Sequence, residues 1–377
     1  MIKVCHIVNL ITGKADGVYS HLKMIFNNYD KKNFEHFLVF QGGEKIEREV
    51  SELGVKVFVS TSLKKKFSIK AFIDIYKIIK STESDVIHSH LLKPYVISGL
   101  INIFARRKLI FNYNGLFIHQ NIYNGFLEKF IYQLFHFIIY LSGSVQIVLV
   151  PSKRSKALLL RETKLFPNPI VYYNGYRKTE TQLTNYIIRN KLERIKSEGL
   201  IIGMISRLEI QKRIDRALEL FKSIMRKRKD LFLIVFGDGS LKYELIEQAK
   251  SSGINSRVMF FDFVPEINSY YPYFDLLLFT SDYEGMPLSL WEAMSNGVPV
   301  VAPDVGGFKE ILEENNCGLI YKPGNIPDAE DKLAKLLNDE PYRKRLGTNG
   351  RIAVESKYSE EKFIQQIEKV YSDLMTK

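Results

Sequence analysis

The chain has 377 residues, of which 46% are hydrophobic and 25% charged, ordinary figures for a globular protein of two domains. Its two cysteines, Cys5 and Cys317, lie in opposite halves, which excludes a disulfide framework and points to a reducing compartment. The net charge of +12 is uneven: residues 1–190 carry 27 Lys and Arg against 13 Asp and Glu, and the remainder 27 against 29. A basic first half can attract nucleic acid, anionic membrane or phosphorylated ligands.

The N-terminal MIKVCHIVNL has no cleavage-site pattern and reads as a buried strand. Strand-like runs follow at Lys3–Asn9, His36–Phe40, Val55–Val59, Val86–His88, Leu109–Asn112 and Ile147–Val150, with helical periodicity between them at Val18–Asn28 and Ile69–Lys80. The most lipid-like stretch, Phe130 to Val150, is interrupted by His136, Ser142, Gly143, Ser144 and Gln146. It falls short of the roughly 20 apolar residues of a spanning helix, and a buried helix followed by a strand is expected. The segment 176–199 is polar with charges of both signs and reads as a linker leading into a helix. Strand-like runs then resume at Ile201–Ile205, Phe232–Phe236, Val258–Phe261, Leu276–Phe279 and Val298–Val301, with helices at Ile214–Arg226, Lys242–Ser251 and Leu288–Asn296. Strand and helix in alternation predict an α/β chain of two doubly wound parallel-sheet, Rossmann-like domains. The expected boundaries are residues 1–180 and 195–358. Ligands of such sheets bind at the carboxyl ends of the strands, so a shared cleft is expected.

The strongest chemical signal is Ser281 to Gly307, SDYEGMPLSLWEAMSNGVPVVAPDVGG. Glu284 and Glu292 are separated by seven residues. Pro287 stands where a helix should begin. The amides of Gly285, Met286, Leu288 and Ser289, on either side of Pro287, would lie at a positive helix end fit for phosphate. Carboxylates eight positions apart span at most about 12 Å along a helical path, which suits the two ends of a nucleotide-sugar. Either glutamate alone is more simply a helix-end or solvated residue; the whole string is not. Arg207 and Lys212 follow the strand Ile201–Ile205 and could hold a diphosphate by fork and point charge. On spacing alone, a pair of surface cations explains them equally well. Gly237-Asp238-Gly239 makes a strand-to-helix turn.

In this order the three segments resemble the retaining GT-B glycosyltransferases of family 4, the group 1 enzymes that include many capsule and lipopolysaccharide enzymes. Glu284 to Glu292 matches the family's E-x7-E motif, Arg207 and Lys212 its diphosphate-binding pair, Gly237-Asp238-Gly239 its glycine turn, and Gly306-Gly307 with Glu310 the segment after the motif. The match is close over residues 200–312 and looser before them. The resemblance implies that Glu284 contacts the donor sugar, Glu292 the ribose, and Asp262-Phe263-Val264 the base. It also implies that a last helix, about 359–377, crosses back onto the N-terminal domain.

In the first half, Gly17 fits the family's glycine loop, although only one glycine is present. A plain strand-to-helix turn explains it as well. His88-Ser89-His90 fits a His-x-His pattern, with His90 the better cleft candidate and His88 the more buried. Metal is not expected, because no third and fourth ligand follow at useful spacing. Where the family has a histidine after the strand ending at Asn112, this chain has Asn114. Asn114 can bond a sugar hydroxyl but supplies no imidazolium, and His119 is the alternative.

The expected activity is transfer of a sugar, with retention, from a nucleoside diphosphate-sugar, a UDP-sugar favoured, to a glycan acceptor in bacterial surface polysaccharide synthesis. No cofactor is expected, and the lack of any Asp-x-Asp pair implies metal independence. The acceptor class includes lipid-diphosphate-linked glycans. A cytoplasmic place is expected, with Lys64-Lys65-Lys66 and Arg106-Arg107-Lys108 as candidates for peripheral contact with anionic membrane. The rival readings are a sugar-nucleotide epimerase, a glycogen-synthase-like polymerase, a nicotinamide oxidoreductase and a nucleic-acid binder. The oxidoreductase lacks G-x-G-x-x-G after the first strand, and the nucleic-acid binder lacks any recognised motif.

Overall fold

A computed structural model describes residues 1–9, 11, 17–65, 68–113, 126–162, 169–178, 185–265 and 267–376. The chain divides into two units, Met1–Asn174 with Glu360–Lys377, and Gly175–Ser359.

The first unit runs β1 (Ile2–Val8), α1 (Gly17–Asn28), β2 (Phe34–Phe40), α2 (Glu44–Glu52), β3 (Lys56–Val59), α3 (Ile69–Ser81), β4 (Val86–His90), α4 (Leu92–Ala105), β5 (Lys108–Asn112), α5 (Phe126–Leu141), β6 (Ile147–Val150), α6 (Lys153–Glu162) and β7 (Pro169–Val171). The strands form one parallel sheet in the order β3-β2-β1-β4-β5-β6-β7. Chain order reverses between β1 and β4, and such a reversal opens a crevice at the carboxyl ends of those strands.

The second unit runs α7 (Tyr186–Glu198), β8 (Leu200–Ile205), α8 (Ile214–Lys227), β9 (Leu231–Phe236), α9 (Lys242–Ser251), β10 (Val258–Phe261), β11 (Leu276–Leu278), α10 (Leu288–Ser295), β12 (Val300–Pro303), α11 (Phe308–Glu314), β13 (Gly318–Tyr321), α12 (Ile326–Asn338) and α13 (Glu340–Lys357). Its parallel order is β10-β9-β8-β11-β12-β13, with the reversal between β8 and β11. Every residue of β9, LFLIVF, is buried, as expected of a strand covered on both faces.

The last helix, α14 (Glu360–Met375), belongs to the first unit. Phe363, Ile364, Ile367, Tyr371 and Leu374 enter the core with Leu22, Ile25 and Phe26 of α1, which is the return expected from the resemblance. Val370, on the same sequence stripe, is only partly buried. Local chemistry sets the helix starts. Ser68 caps α3 by accepting from the Ala71 amide at 3.1 Å, and Asn185 caps α7 by accepting from Ile187 and Ile188 at 3.1 Å each.

One expectation is corrected. Residues 130–141 do not form a buried helix: α5 buries Ile139 but leaves Phe130, Leu134, Phe137, Ile138, Tyr140 and Leu141 exposed. Among the described residues no helix is long and apolar enough to cross a membrane.

Candidate functional site

In the second unit the sequence-singled residues gather on the loops at the carboxyl ends of β8 to β11. The loop after β8 carries Arg207 and Lys212. The loop after β9 carries Gly237-Asp238-Gly239, that after β10 carries Phe263 and Val264, and that after β11 carries Glu284.

Lys212 and Glu284 meet. The Lys212 ammonium donates to Glu284 Oε1 at 2.6 Å, and the two side chains are only 12% and 6% exposed. Ser281 Oγ donates to the same oxygen at 2.6 Å. Backbone bonds lock the two loops together. Thr280 Oγ1 donates to the Lys212 carbonyl at 2.9 Å, Gln211 Nε2 to the Tyr283 carbonyl at 2.8 Å, and the Asp282 amide to the Gln211 carbonyl at 3.0 Å. Arg213, held in a left-handed conformation with φ 52°, and Arg216 both pair with Asp282. Arg207 is different. It is exposed, and no hydrogen bond or ion pair holds its guanidinium among the described residues, so its five donors remain available to an anion. Beside it Glu209 is occupied, accepting from the Ser240 amide at 3.1 Å and from Ser240 Oγ at 2.8 Å.

The glycines have steric reasons. A Cβ on Gly237 would lie 1.8 Å from the Ser206 carbonyl oxygen, and one on Gly239 2.4 Å from that of Leu208, so the turn after β9 rests directly on the loop carrying Arg207. Gly306 has φ +55°, and a Cβ there would meet the Glu284 oxygen at 2.4 Å. The neighbouring Gly307 amide donates to the Gly285 carbonyl at 3.2 Å. Gly306→Ala is therefore expected to push the Glu284 loop out of register. It should destabilise the fold by about 1–3 kcal/mol and weaken any ligand bound at Glu284, which a titration on purified variant would measure.

Pro287 is the residue immediately before α10, with φ −71°. Glu284 thus lies before the helix and Glu292 inside it, and the path between them is only partly helical. Gly285, Met286, Pro287 and Leu288 make the link, with Met286 buried. Glu292 is half-buried and accepts from Tyr271 Oη at 2.8 Å. Burial raises its carboxyl above the usual range, against the lowering effect of the tyrosine bond. Nearby, Tyr176 donates to Asn268 Oδ1 at 2.8 Å. Phe263 is 51% exposed after β10, a free aromatic face for a planar ligand.

The first unit departs further from expectation. His90 is no more exposed than His88: both are fully buried. His90 also has both ring nitrogens engaged, Nε2 with His6 at 3.1 Å and Nδ1 with the Asn112 amide at 3.4 Å. It holds strand ends together and has no nitrogen left for a ligand. The sequence pair is joined by a third imidazole, His6, whose candidate ligand nitrogen lies within 4.8 Å of theirs. The rings of His88 and His90 stack, 4.2 Å apart at 29°.

The hydrogen bonds fix tautomers. Asn112 donates to His90 Nδ1, so His90 carries its proton on Nε2 and donates to His6 Nδ1. His6 then donates from Nε2 to His36 Nδ1 at 2.8 Å. The nitrogens His36 Nε2, His88 Nε2 and His21 Nε2 find no partner among the described residues. No spacing rule marks His6, His21 and His36, which come from β1, α1 and β2; the parallel register sets His6 opposite His88 on the face that also carries His36, and α1 lays His21 against His90. Gly17 opens α1, with open space where a Cβ would stand. Asn114 and His119 lie outside the described residues, as does Lys66.

Two doubly wound parallel-sheet units, the second with Lys212, Glu284 and the glycine turns at its switch point, define the GT-B class. Residues 15–177 match the model of Glycosyltransferase Family 4, and residues 188–353 that of Glycosyl transferases group 1. The chain belongs to this family 4, group 1 lineage of glycosyltransferases. A relative is the capsular polysaccharide biosynthesis glycosyltransferase CapM of Staphylococcus aureus, 24% identical over 360 residues, covering 92% of this chain and 91% of CapM. Another is the O-antigen biosynthesis glycosyltransferase WclY of Escherichia coli, 24% identical over 323 residues, 84% of each chain. Among solved structures, Anabaena HepE in complex with UDP has the same fold, with TM-score 0.79 at 19% identity over 99% of this chain and 100% of that one.

Proposed function

We propose that this glycosyltransferase moves a sugar, with retention and without a metal or other cofactor, from a UDP-sugar to a glycan acceptor of bacterial surface polysaccharide. The observation that carries the donor site is the buried Lys212–Glu284 pair at the switch point, with the unengaged Arg207 guanidinium on the same loop. Arg207 and Lys212 hold the diphosphate, Glu284 and the amides after it orient the sugar, Glu292 faces the ribose and Phe263 with Val264 the base. The bond from the anomeric carbon to the diphosphate oxygen breaks. The acceptor oxygen bonds to that carbon from the same face, and its proton passes to the departing diphosphate. Cations fixed where that negative charge develops favour the transition state over the ground state. They stand where an Asp-x-Asp-bound metal would otherwise be needed. UDP and the surface-polysaccharide acceptor are suggested by HepE, CapM and WclY. A lipid-diphosphate-linked acceptor, reached from the cytoplasmic side by peripheral contact of the basic first half with anionic membrane, fits the charge distribution.

A thermal-shift series with UDP, GDP, ADP and CMP tests the donor site. At 100 times its dissociation constant the right diphosphate raises stability by about 2.7 kcal/mol. Arg207→Ala and Glu292→Ala should abolish the shift. A shift that persists undiminished in both variants, or no shift with any nucleotide, defeats this assignment.

A further inference from the structure

Glu292 is gripped through one of its two carboxyl oxygens. Oε2 accepts from Tyr271 Oη at 2.8 Å, and Oε1 has no hydrogen bond or ion pair among the described residues, while the residue keeps part of its surface open. A second phenol stands close by and leaves Glu292 alone. Burial, and after it the Glu292 charge, pushes the Tyr176 phenol up, but Tyr176 donates away, to Asn268 Oδ1 at 2.8 Å.

Tyr271 itself is a fixed point. It opens the short turn Tyr271–Tyr273 between β10 and β11, with Pro272 setting the backbone. Its side chain has no exposed surface. Its ring meets that of Phe274 edge-on, with centroids 5.8 Å apart at 73°. Phe274 in turn fills the space over Gly203 of β8, where a Cβ would lie 2.6 Å from the ring. A ring packed in this way keeps one rotamer, so its hydroxyl keeps one place. Two acceptors one turn apart on α10 face that hydroxyl, Glu292 Oε2 and the Ser289 carbonyl at 3.2 Å. Its one proton lies nearer the charged acceptor. Burial and then the neighbouring carboxylate push the Tyr271 phenol well above its usual value, so it remains a donor. A glutamate left loose on a helix gives up side-chain freedom when it meets a ligand; here that freedom is lost beforehand.

Given the donor site proposed above, we infer that Tyr271 is a positioning residue: it fixes Glu292 through Oε2 so that Oε1 accepts from a hydroxyl of the nucleotide's ribose, and the pair makes the site select ribose over deoxyribose. An ionised carboxylate accepts and never donates, whereas a ribose diol carries two donors. A sugar without the contacted hydroxyl leaves a partly buried charge with one partner fewer, and the site rejects it for that reason.

Binding of UDP, 2′-deoxy-UDP and 3′-deoxy-UDP is measured by calorimetry on the wild type and on Tyr271→Phe, which keeps the ring and removes only the hydroxyl. The wild type should bind UDP about tenfold or more tightly than at least one of the analogues, the fold-change of one hydrogen bond to a charged group. Tyr271→Phe should lose about tenfold for UDP and much less for the analogue that lacks the contacted hydroxyl, so that discrimination falls to about threefold or less. A tyrosine that merely braced the turn would weaken all three ligands alike. Loss of affinity with discrimination intact therefore overturns the inference, as does a variant that binds all three like the wild type. The wild type alone can also overturn it, whether or not the variant folds. Equal binding of UDP and both analogues, abolished by Arg207→Ala, leaves the diphosphate site standing and removes this role from Tyr271 and Glu292. A wild type that binds none of the three ends the donor reading and this inference together.

Discussion

Lys212→Met is expected to lower kcat/KM by about 100- to 1000-fold, the loss seen when one preorganised electrostatic contact to a transition state is removed. It should also destabilise the second unit by about 3 kcal/mol, because Glu284, only 6% exposed in its side chain, loses its cation and is left with the Ser281 hydrogen bond. Glu284→Gln should do similar damage for the mirrored reason, leaving the buried ammonium without a carboxylate. The informative variant is the double one. Met facing Gln carries no buried charge, so denaturation should recover most of the stability lost in either single variant, a coupling of 1 kcal/mol or more by a double-mutant cycle. Activity should not recover, since neither the diphosphate cation nor the sugar carboxylate is restored. If activity returns together with stability, the pair is a structural brace and the donor chemistry lies elsewhere.

That prediction depends on features the sequence carried to different degrees. The strand and helix alternation was legible because both sheets are buried on two faces, which makes runs such as LFLIVF of β9 continuous and apolar. Of the four edge strands, β3 and β10 were read and β7 and β13 were not. β7 has three residues and starts at a proline, and β13 starts at a glycine after a polar helix end, so neither stands out as an apolar run. α5 was misjudged for a related reason. Periodicity measures how apolar a segment is, and a helix apolar on both sides reads as buried whichever side meets water.

The candidate donor site was legible as residues and not as contacts. Glu284, Arg207 and Lys212 stand out because glycine, proline and charge fall together at strand ends. Nothing in the string showed that Lys212, and not Arg207, would bond to Glu284, because that pairing spans 72 positions and is set by the adjacency of β8 and β11. Tyr271 facing Glu292 was missed altogether, as an aromatic in a loop with no motif around it. In the first unit, His90 was read as the cleft residue and His88 as the packed one; two positions apart on one strand, they share a face and both are buried. The face itself proved to be core, roofed by α14 from the far end of the chain.

Those histidines make the first unit acid-labile while sparing the second. Burial lowers the pKa of His21 to about 4 and of His36 to about 3. It drives those of His6, His88 and His90 well below the usual value, with repulsion among neighbouring imidazoles adding to the effect. A depressed folded-state pKa means that the unfolded chain, titrating near 6.5, binds more protons as the pH falls. Stability is thus fully present above about pH 6.5 and declines from there toward the folded pKa values. Each histidine contributes a slope of about 1.4 kcal/mol per pH unit in that window. By pH 5, His21 and His36 together cost about 4 kcal/mol, a large share of a typical total of about 5–15. The chain has one tryptophan, Trp291, buried in the second unit, which separates the two events. Acidification to about pH 5 should remove part of the far-ultraviolet circular dichroism while Trp291 fluorescence stays native. His36→Leu, at the end of the tautomer chain, should flatten the acid limb by one proton's slope. Circular dichroism that holds steady down to pH 4 would mean that the cluster already carries charge at neutral pH, and the neutral tautomer chain from Asn112 to His36 would be wrong.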